Sequence, residues 1–405
     1  MIAKCSRCLS LQRLARPPLP EPGDGICTSA TWDQNGVTVA GGNKDGSALN
    51  QLDYPKGLFL DGDAMYIADN HNCRVVKWML GAAVGQVVAS VKKPDNDNYL
   101  FDFVTSVVVD KNGIIFICDE ANERVERWVK NVDHGEIIIA NISCWGLALD
   151  NEGSLYVSAF DRVLKWPGNE VVAGGNGQGS ALNQLYAPRH LFVDQEKSIF
   201  VADYINTRVV KWSIGAKEGI VVAGGKEQPD GANQLSFAHS VVVDQMGTVY
   251  TVDYGNHRVM RWFNGSKSGN YIIGGREAGN GTTELSMPSD LKFDRHGNLY
   301  VLDTWNQRVQ MFAIDKSSCI AVQVNHKIQT NSTAFRCARC NGNIDIARYL
   351  TKNGVDVHFP KIHNETNLVL SVYNEDLTMT TYLVDESIDN GCSFELVQFL
   401  LNYGT

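Results

Sequence analysis

Little in this chain marks a membrane span, a metal cluster or a nucleotide cradle. No run of about 18 apolar residues occurs, so no transmembrane helix is expected. The 36 Lys and Arg are outnumbered by 45 Asp and Glu, for a formal net charge of -9. General attraction to nucleic acid or anionic lipid needs the opposite field. The first residues carry Arg13 and Arg16 but no continuous apolar stretch, so no secretory signal is read there and residues 1–36 are expected to be an irregular lead-in. The ten cysteines form no dense disulfide framework. The pairs Cys5/Cys8 and Cys337/Cys340 stand near opposite ends of the chain with no His cluster, so no zinc site or other cofactor is expected. No Ser/His/Asp motif and no Walker loop appears. The expected compartment is cytoplasmic, although the sequons at Asn141, Asn264, Asn280, Asn331 and Asn364 leave secretion open.

What the chain does have is one segment written six times. It reads Tyr66-Ile-Ala-Asp69, a short turn, then Arg74-Val-Val-Lys-Trp78. It returns around Asp119 and Arg124, shortened around Arg162, and then evenly around Asp203, Asp253 and Asp303. Each copy holds four short runs rich in Val, Ile, Leu and aromatics, bounded by Gly, Asn and Asp. Hairpin-sized gaps make consecutive strands antiparallel. A four-stranded sheet repeated at this period is a propeller blade. A fourth-strand string, Val39-Ala-Gly-Gly42, precedes every first strand, and none follows the last third strand. Residues 37–40 are therefore expected to complete the sixth blade and close the ring.

The string Ile-Ala-Asp-x-x-Asn-x-Arg-Val after Pro55-Lys-Gly-Leu resembles the NHL repeat. That resemblance implies a mainly β, six-bladed NHL-type propeller over residues 37–312. The repeated Asp and Arg are read as structural, because a catalytic site is rarely copied in every blade. The third copy lacks the Asp and two turn residues, so its hairpin should be tighter.

After Phe312 the pattern stops. Residues 313–332 read as a linker, and residues 333–405 carry a helix–turn–helix period that resembles ankyrin repeats, about two and a half of them. Tyr349-Leu350 and Tyr382-Leu383 recur at the matching place, and Gly354 suits a helix C-cap. Cys337 and Cys340 would then be packing residues.

The position five before each first-strand Asp should lie near one mouth of the channel. Those residues are Lys56, Thr105, Trp145, Arg189, His239 and Ser289. They read as a weakly basic ring with one aromatic, suited to a carboxylate or phosphate. Lys56 and Arg189 fall on opposite blades, and His239 adds a charge that switches near pH 6.5. Three function classes compete. The first, and preferred, is a non-enzymatic scaffold binding protein or peptide partners, with no membrane association. The second is RNA binding, as in NHL proteins of the tripartite-motif type, which this chain departs from in lacking their zinc modules. The third is a degenerate relative of the peptidyl-hydroxyglycine amidating lyases, whose zinc is held by several His; here only Ala238-His239-Ser-Val matches, and His190 falls one position late.

Overall fold

A computed structural model describes residues 26, 30–90, 101–130, 132, 134–225, 234–275 and 277–315. Among them stand six four-stranded antiparallel sheets. Blade 1 is built from Gly57–Asp61, Ala64–Asp69, Arg74–Met79 and Gln86–Ala89; blade 2 from Val104–Val109, Ile115–Asp119, Arg124–Trp128 and Glu136–Ala140. Blade 3 uses Cys144–Leu149, Leu155–Ala159, Arg162–Trp166 and Glu170–Gly174; blade 4 uses Pro188–Val193, Ile199–Asp203, Arg208–Trp212 and Ile220–Gly224. Blade 5 uses Ala238–Val243, Val249–Asp253, Arg258–Trp262 and Asn270–Gly274. Blade 6 takes Asp290–Phe293, Leu299–Asp303 and Arg308–Phe312 from the end of the described chain and Val37–Gly41 from its start.

The seam lies where the sequence places it. Val37 pairs with Met311 and Gly41 with Arg308, so the sixth sheet has no missing strand. A second clasp sits beside it: Thr31–Trp32 pairs with Ile314–Asp315. Trp32 is 3% exposed, donates its indole N–H to Gly297 O at 2.9 Å and stacks on Phe293.

First strands adjoin one another around the axis and fourth strands face outward. Second strands are apolar on both faces, as in Leu299–Asp303, because a blade covers each side. In five blades the aromatic near the end of the third strand is buried, namely Trp78, Trp128, Trp212, Trp262 and Phe312, while Trp166 of blade 3 is half-buried. Two glycines permit closer approach at the axis. A Cβ on Gly57 would lie 2.8 Å from the Ser106 backbone, and one on Gly146 would lie 2.7 Å from His190 Cα.

The short third copy makes the expected tighter hairpin, with Ala159 pairing directly to Arg162. One cysteine pair goes beyond the sequence reading, which finds no dense disulfide framework. Ring closure lays the second strand of blade 2 beside the first strand of blade 3, and Cys118 and Cys144 form a disulfide with Cα atoms 5.8 Å apart. Cys73 is free. The lead-in before Ile26, the Cys5/Cys8 and Cys337/Cys340 pairs, and the ankyrin-like segment all lie outside the described residues.

Candidate ligand site at the channel mouth

The repeated Asp and Arg explain how the mouth is built. In five blades the Arg Nε donates to the Asp at 2.6–2.9 Å: Arg74 to Asp69, Arg124 to Asp119, Arg208 to Asp203, Arg258 to Asp253 and Arg308 to Asp303. The other Asp oxygen accepts a backbone N–H from the loop leading into the first strand. The donors are Asp53, Asp102, Tyr186, Ser236 and Ser286, at 2.6–2.8 Å. In every case the next residue turns into the left-handed region: Tyr54, Phe103, Ala187, Phe237 and Met287 have φ between 44° and 65°. Such backbone costs of order 1–3 kcal/mol per residue away from glycine, so surrounding bonds must hold it. Two residues further on come Lys56, Thr105, Arg189, His239 and Ser289. The anchor is structural, and what it aims is the variable ring.

The structure brings four of the six ring residues to one place. Lys56 is 8% exposed, with Nζ 4.1 Å above the Tyr54 ring and 5.5 Å from the Tyr254 ring. The Arg189 guanidinium stands 3.1 Å over the Trp145 ring and 4.7 Å from Tyr204. His239 stacks on Tyr254 at 5.1 Å and lies 5.7 Å from His190. Thr105 and Ser289 are instead spent on the scaffold. Thr105 Oγ1 contacts Cys118 Sγ at 2.9 Å, and Ser289 Oγ donates to Lys56 O at 3.1 Å.

Burial sets the charges. It pushes the Lys56 ammonium below its ordinary value, partly offset by Tyr54. It brings the Arg189 guanidinium down to about 10, although Tyr204 and Glu120 favour the charge. At about 10 the Arg189 guanidinium remains a cation at neutral pH. His239 behaves differently from the switch expected of it. Full burial, with Lys56, His190 and Arg189 nearby, holds it well below its ordinary range, so it is neutral at pH 7 and bonds through Nδ1 to Ser289 O at 2.7 Å. Burial would raise the Tyr54 phenol, but the Tyr254 bond and the Lys56 charge outweigh it and leave it lowered.

Beneath the mouth the axis is filled by polar contacts. His190 Nε2 reaches across from blade 4 to Lys56 O at 3.1 Å. Asp290 accepts from Ser240 Oγ and Lys292 Nζ, each at 2.6 Å, and from Leu58 N at 2.8 Å. Arg189 departs furthest from this pattern of satisfied partners: its Nε and Nη1 are both buried without a hydrogen-bond partner, whereas Asn70, Arg261 and Gln310 each leave a single atom so. A buried charge without hydrogen bonds is costly, and an anion would supply what is missing.

Sequence reasoning missed most of the rings: Tyr54, Tyr204, Tyr254, Trp305, His71 and Phe237. The available signal was register. Tyr204 and Tyr254 directly follow the repeated Asp, while Tyr54 and Phe237 sit two before ring positions. Among the described residues no three His, Cys, Asp or Glu form a group able to hold a metal ion. None of their helices is long and apolar enough to cross a membrane.

Residues 235–261 and 285–312, in blades 5 and 6, match the NHL repeat. No curated protein matches the chain. Among solved structures it is similar to a protein of unknown function from Bacteroides thetaiotaomicron, at 17% identity over 71% of this chain and 76% of that one, with TM-score 0.55. It is also similar to an auxiliary nutrient binding protein from Bacteroides ovatus, at 12% identity over 70% and 77%, with TM-score 0.55. At these identities the likeness is one of fold.

Proposed function

We propose that this NHL-repeat propeller is a non-enzymatic binding scaffold whose channel mouth takes a carboxylate of an acidic peptide or protein partner. The observation that carries the reading is Arg189, stacked between Trp145 and Tyr204 with Nε and Nη1 unpartnered. Stacking fixes the plane of the guanidinium and leaves its edge for a planar oxyanion. Lys56 adds a second cation in a low-dielectric site, where its attraction exceeds that of a surface lysine. The rings around both give rigid contact area at small entropic cost. RNA binding and zinc chemistry have no comparable support: the cations do not form a stripe along a groove, and the His190 and His239 pair lacks a third ligand among the described residues. The Cys118–Cys144 disulfide also suits an oxidising compartment better than the cytoplasmic location expected from sequence.

The test is titration with a hexaglutamate peptide bearing a free C-terminus, against its hexaglutamine amide. Lys56→Ala with Arg189→Ala should weaken hexaglutamate binding by about 10- to 100-fold, the size of a lost charged hydrogen bond or two. Added salt should weaken the wild-type complex. Equal binding of the neutral peptide would overturn the reading.

A further inference from the structure

Blade 3 holds its share of the mouth without the anchor that the other five use. Ala159 stands where they have Asp, since it pairs with Arg162 as Asp69 pairs with Arg74 and Asp203 with Arg208. Arg162 turns instead to its neighbour Asp161, whose other oxygen accepts Gly177 N, a bond that does not reach the loop before Trp145. The left-handed residue two before the ring position is also absent here, because the positive φ in this loop falls at Asn141. Yet Trp145 is held well enough to support Arg189.

The residue that faces Ala159 across the ladder is Cys144. In blades 2, 4 and 5 the matching partners of the Asp are Val104, Pro188 and Ala238. Cys144 is bonded to Cys118 in blade 2, and both are fully buried. The same stretch is also tied by Ile142 N, which donates to Glu123 O at 2.8 Å, and by Ser143 Oγ, which donates to Glu120 at 3.1 Å, while the Cys144 sulfur lies 3.3 Å from Arg124 O. Thr105, the blade 2 ring residue, rests on the same pair, touching Cys118 Sγ and Cys144 O.

We infer that the Cys118–Cys144 disulfide replaces the missing aspartate anchor of blade 3 and positions Trp145 beneath Arg189. It acts as a fixed positioning link and not as a switch, because thiol exchange requires access that full burial denies. Its consequence for ligand affinity rests on the function proposed above; its role in holding the loop does not.

The two are separated by reading the loop first without ligand. Hydrogen exchange in the full chain should show residues 142–147 as well protected as residues 286–291, which Asp303 anchors. In Cys118→Ala with Cys144→Ala, exchange of 142–147 should rise at least ~10-fold while 286–291 stays unchanged. Asp303→Asn should do the reverse. Hexaglutamate affinity should fall at least ~10-fold in the cysteine variant, measured where it is fully folded. If the double variant does not fold, Cys118→Ser alone gives the same exchange reading. Unchanged exchange at 142–147, or loosening spread equally over all six loops, would overturn the inference. Loosening at 142–147 with no hexaglutamate binding even in the wild type would leave the link standing and remove the proposed ligand.

Discussion

The two faces of the propeller are built from equally repetitive parts, yet only one concentrates unusual chemistry. On the face away from the mouth, Asp110, Asp150, Asp194, Asp244 and Asp294 each close a turn by accepting amides two or four residues on. Where they reach beyond the turn it is to strands of their own blade, as when Asp150 and Asp244 accept from the Tyr156 and Tyr250 hydroxyls. A cavity of about 1360 Å³ opens there between blades 4 and 5, lined by Ile220, Met246 and Phe263 among others. Its Lys211 stands 5.1 Å from the Phe200 ring but is paired with Asp194 at 3.8 Å, a counter-charge that Arg189 lacks. On the mouth face the repeated Asp does something further: it holds a strained loop whose side chain then projects to the axis. The same residue type thus ends a hairpin on one face and aims a variable ring on the other. Repetition builds the holder, and departures from repetition build the site.

Breaking what both faces share should have the largest effect. Deleting residues 1–42 removes Val37–Gly41 and the Trp32 clasp, exposing the Arg308–Phe312 edge and the apolar surface beside it. The propeller should then fail to give a cooperative melting transition; a truncated protein that melts like the parent would place the seam elsewhere. Trp212→Ala, at an interblade wedge, should cost about 3–5 kcal/mol in chemical denaturation.

The next comparison sets the two kinds of Asp against each other. Asp203→Asn leaves Arg208 buried without its counter-charge, which costs about 3–5 kcal/mol. It should also weaken hexaglutamate binding, because the loop it holds carries Arg189. Asp244→Asn should cost less, about 1–2 kcal/mol, and leave affinity unchanged. Equal losses of affinity would mean that the mouth is not specially dependent on its anchors.

The pH response sharpens the picture further. His239 and His190 are held below their ordinary value in the folded state by burial, while in the unfolded chain they titrate near 6.5. Their contribution to stability is therefore complete above about pH 6.5 and is lost as pH falls toward the folded value. Thermal melts between pH 7.5 and 5 should show this decline, and His239→Gln should flatten it. Hexaglutamate affinity of the folded protein should stay level from pH 8 to 6.5, since Arg189 keeps its charge and His239 is already neutral. A step there would restore His239 as a switch.

Much of this architecture was legible in the residues because propellers repeat. Five Asp-to-Arg units and a shortened sixth that keeps only its Arg give the blade number and the tight hairpin, and the early Val39-Ala-Gly-Gly42 string gives the seam. The ring positions were also reachable by counting back from the first-strand Asp. Which of them share space was not, because whether a side chain faces the axis depends on the bulges entering each first strand. Thr105 and Ser289 occupy the same register as Lys56 and Arg189 but bond downward. The Cys118–Cys144 pair was hidden because it joins two blades at different repeat positions, a proximity that only ring closure creates. The neutrality of His239 follows from burial, which one sequence does not state.

The central claim is that Arg189 waits for an anion. Its most direct test is the ¹⁵N-edited NMR signal of the Arg189 Nε–H group during titration with hexaglutamate. The expected result is a downfield proton shift and slowed solvent exchange as the carboxylate accepts that hydrogen bond, with both changes absent for hexaglutamine amide. An Nε–H signal that stays in place while the peptide binds elsewhere would contradict it.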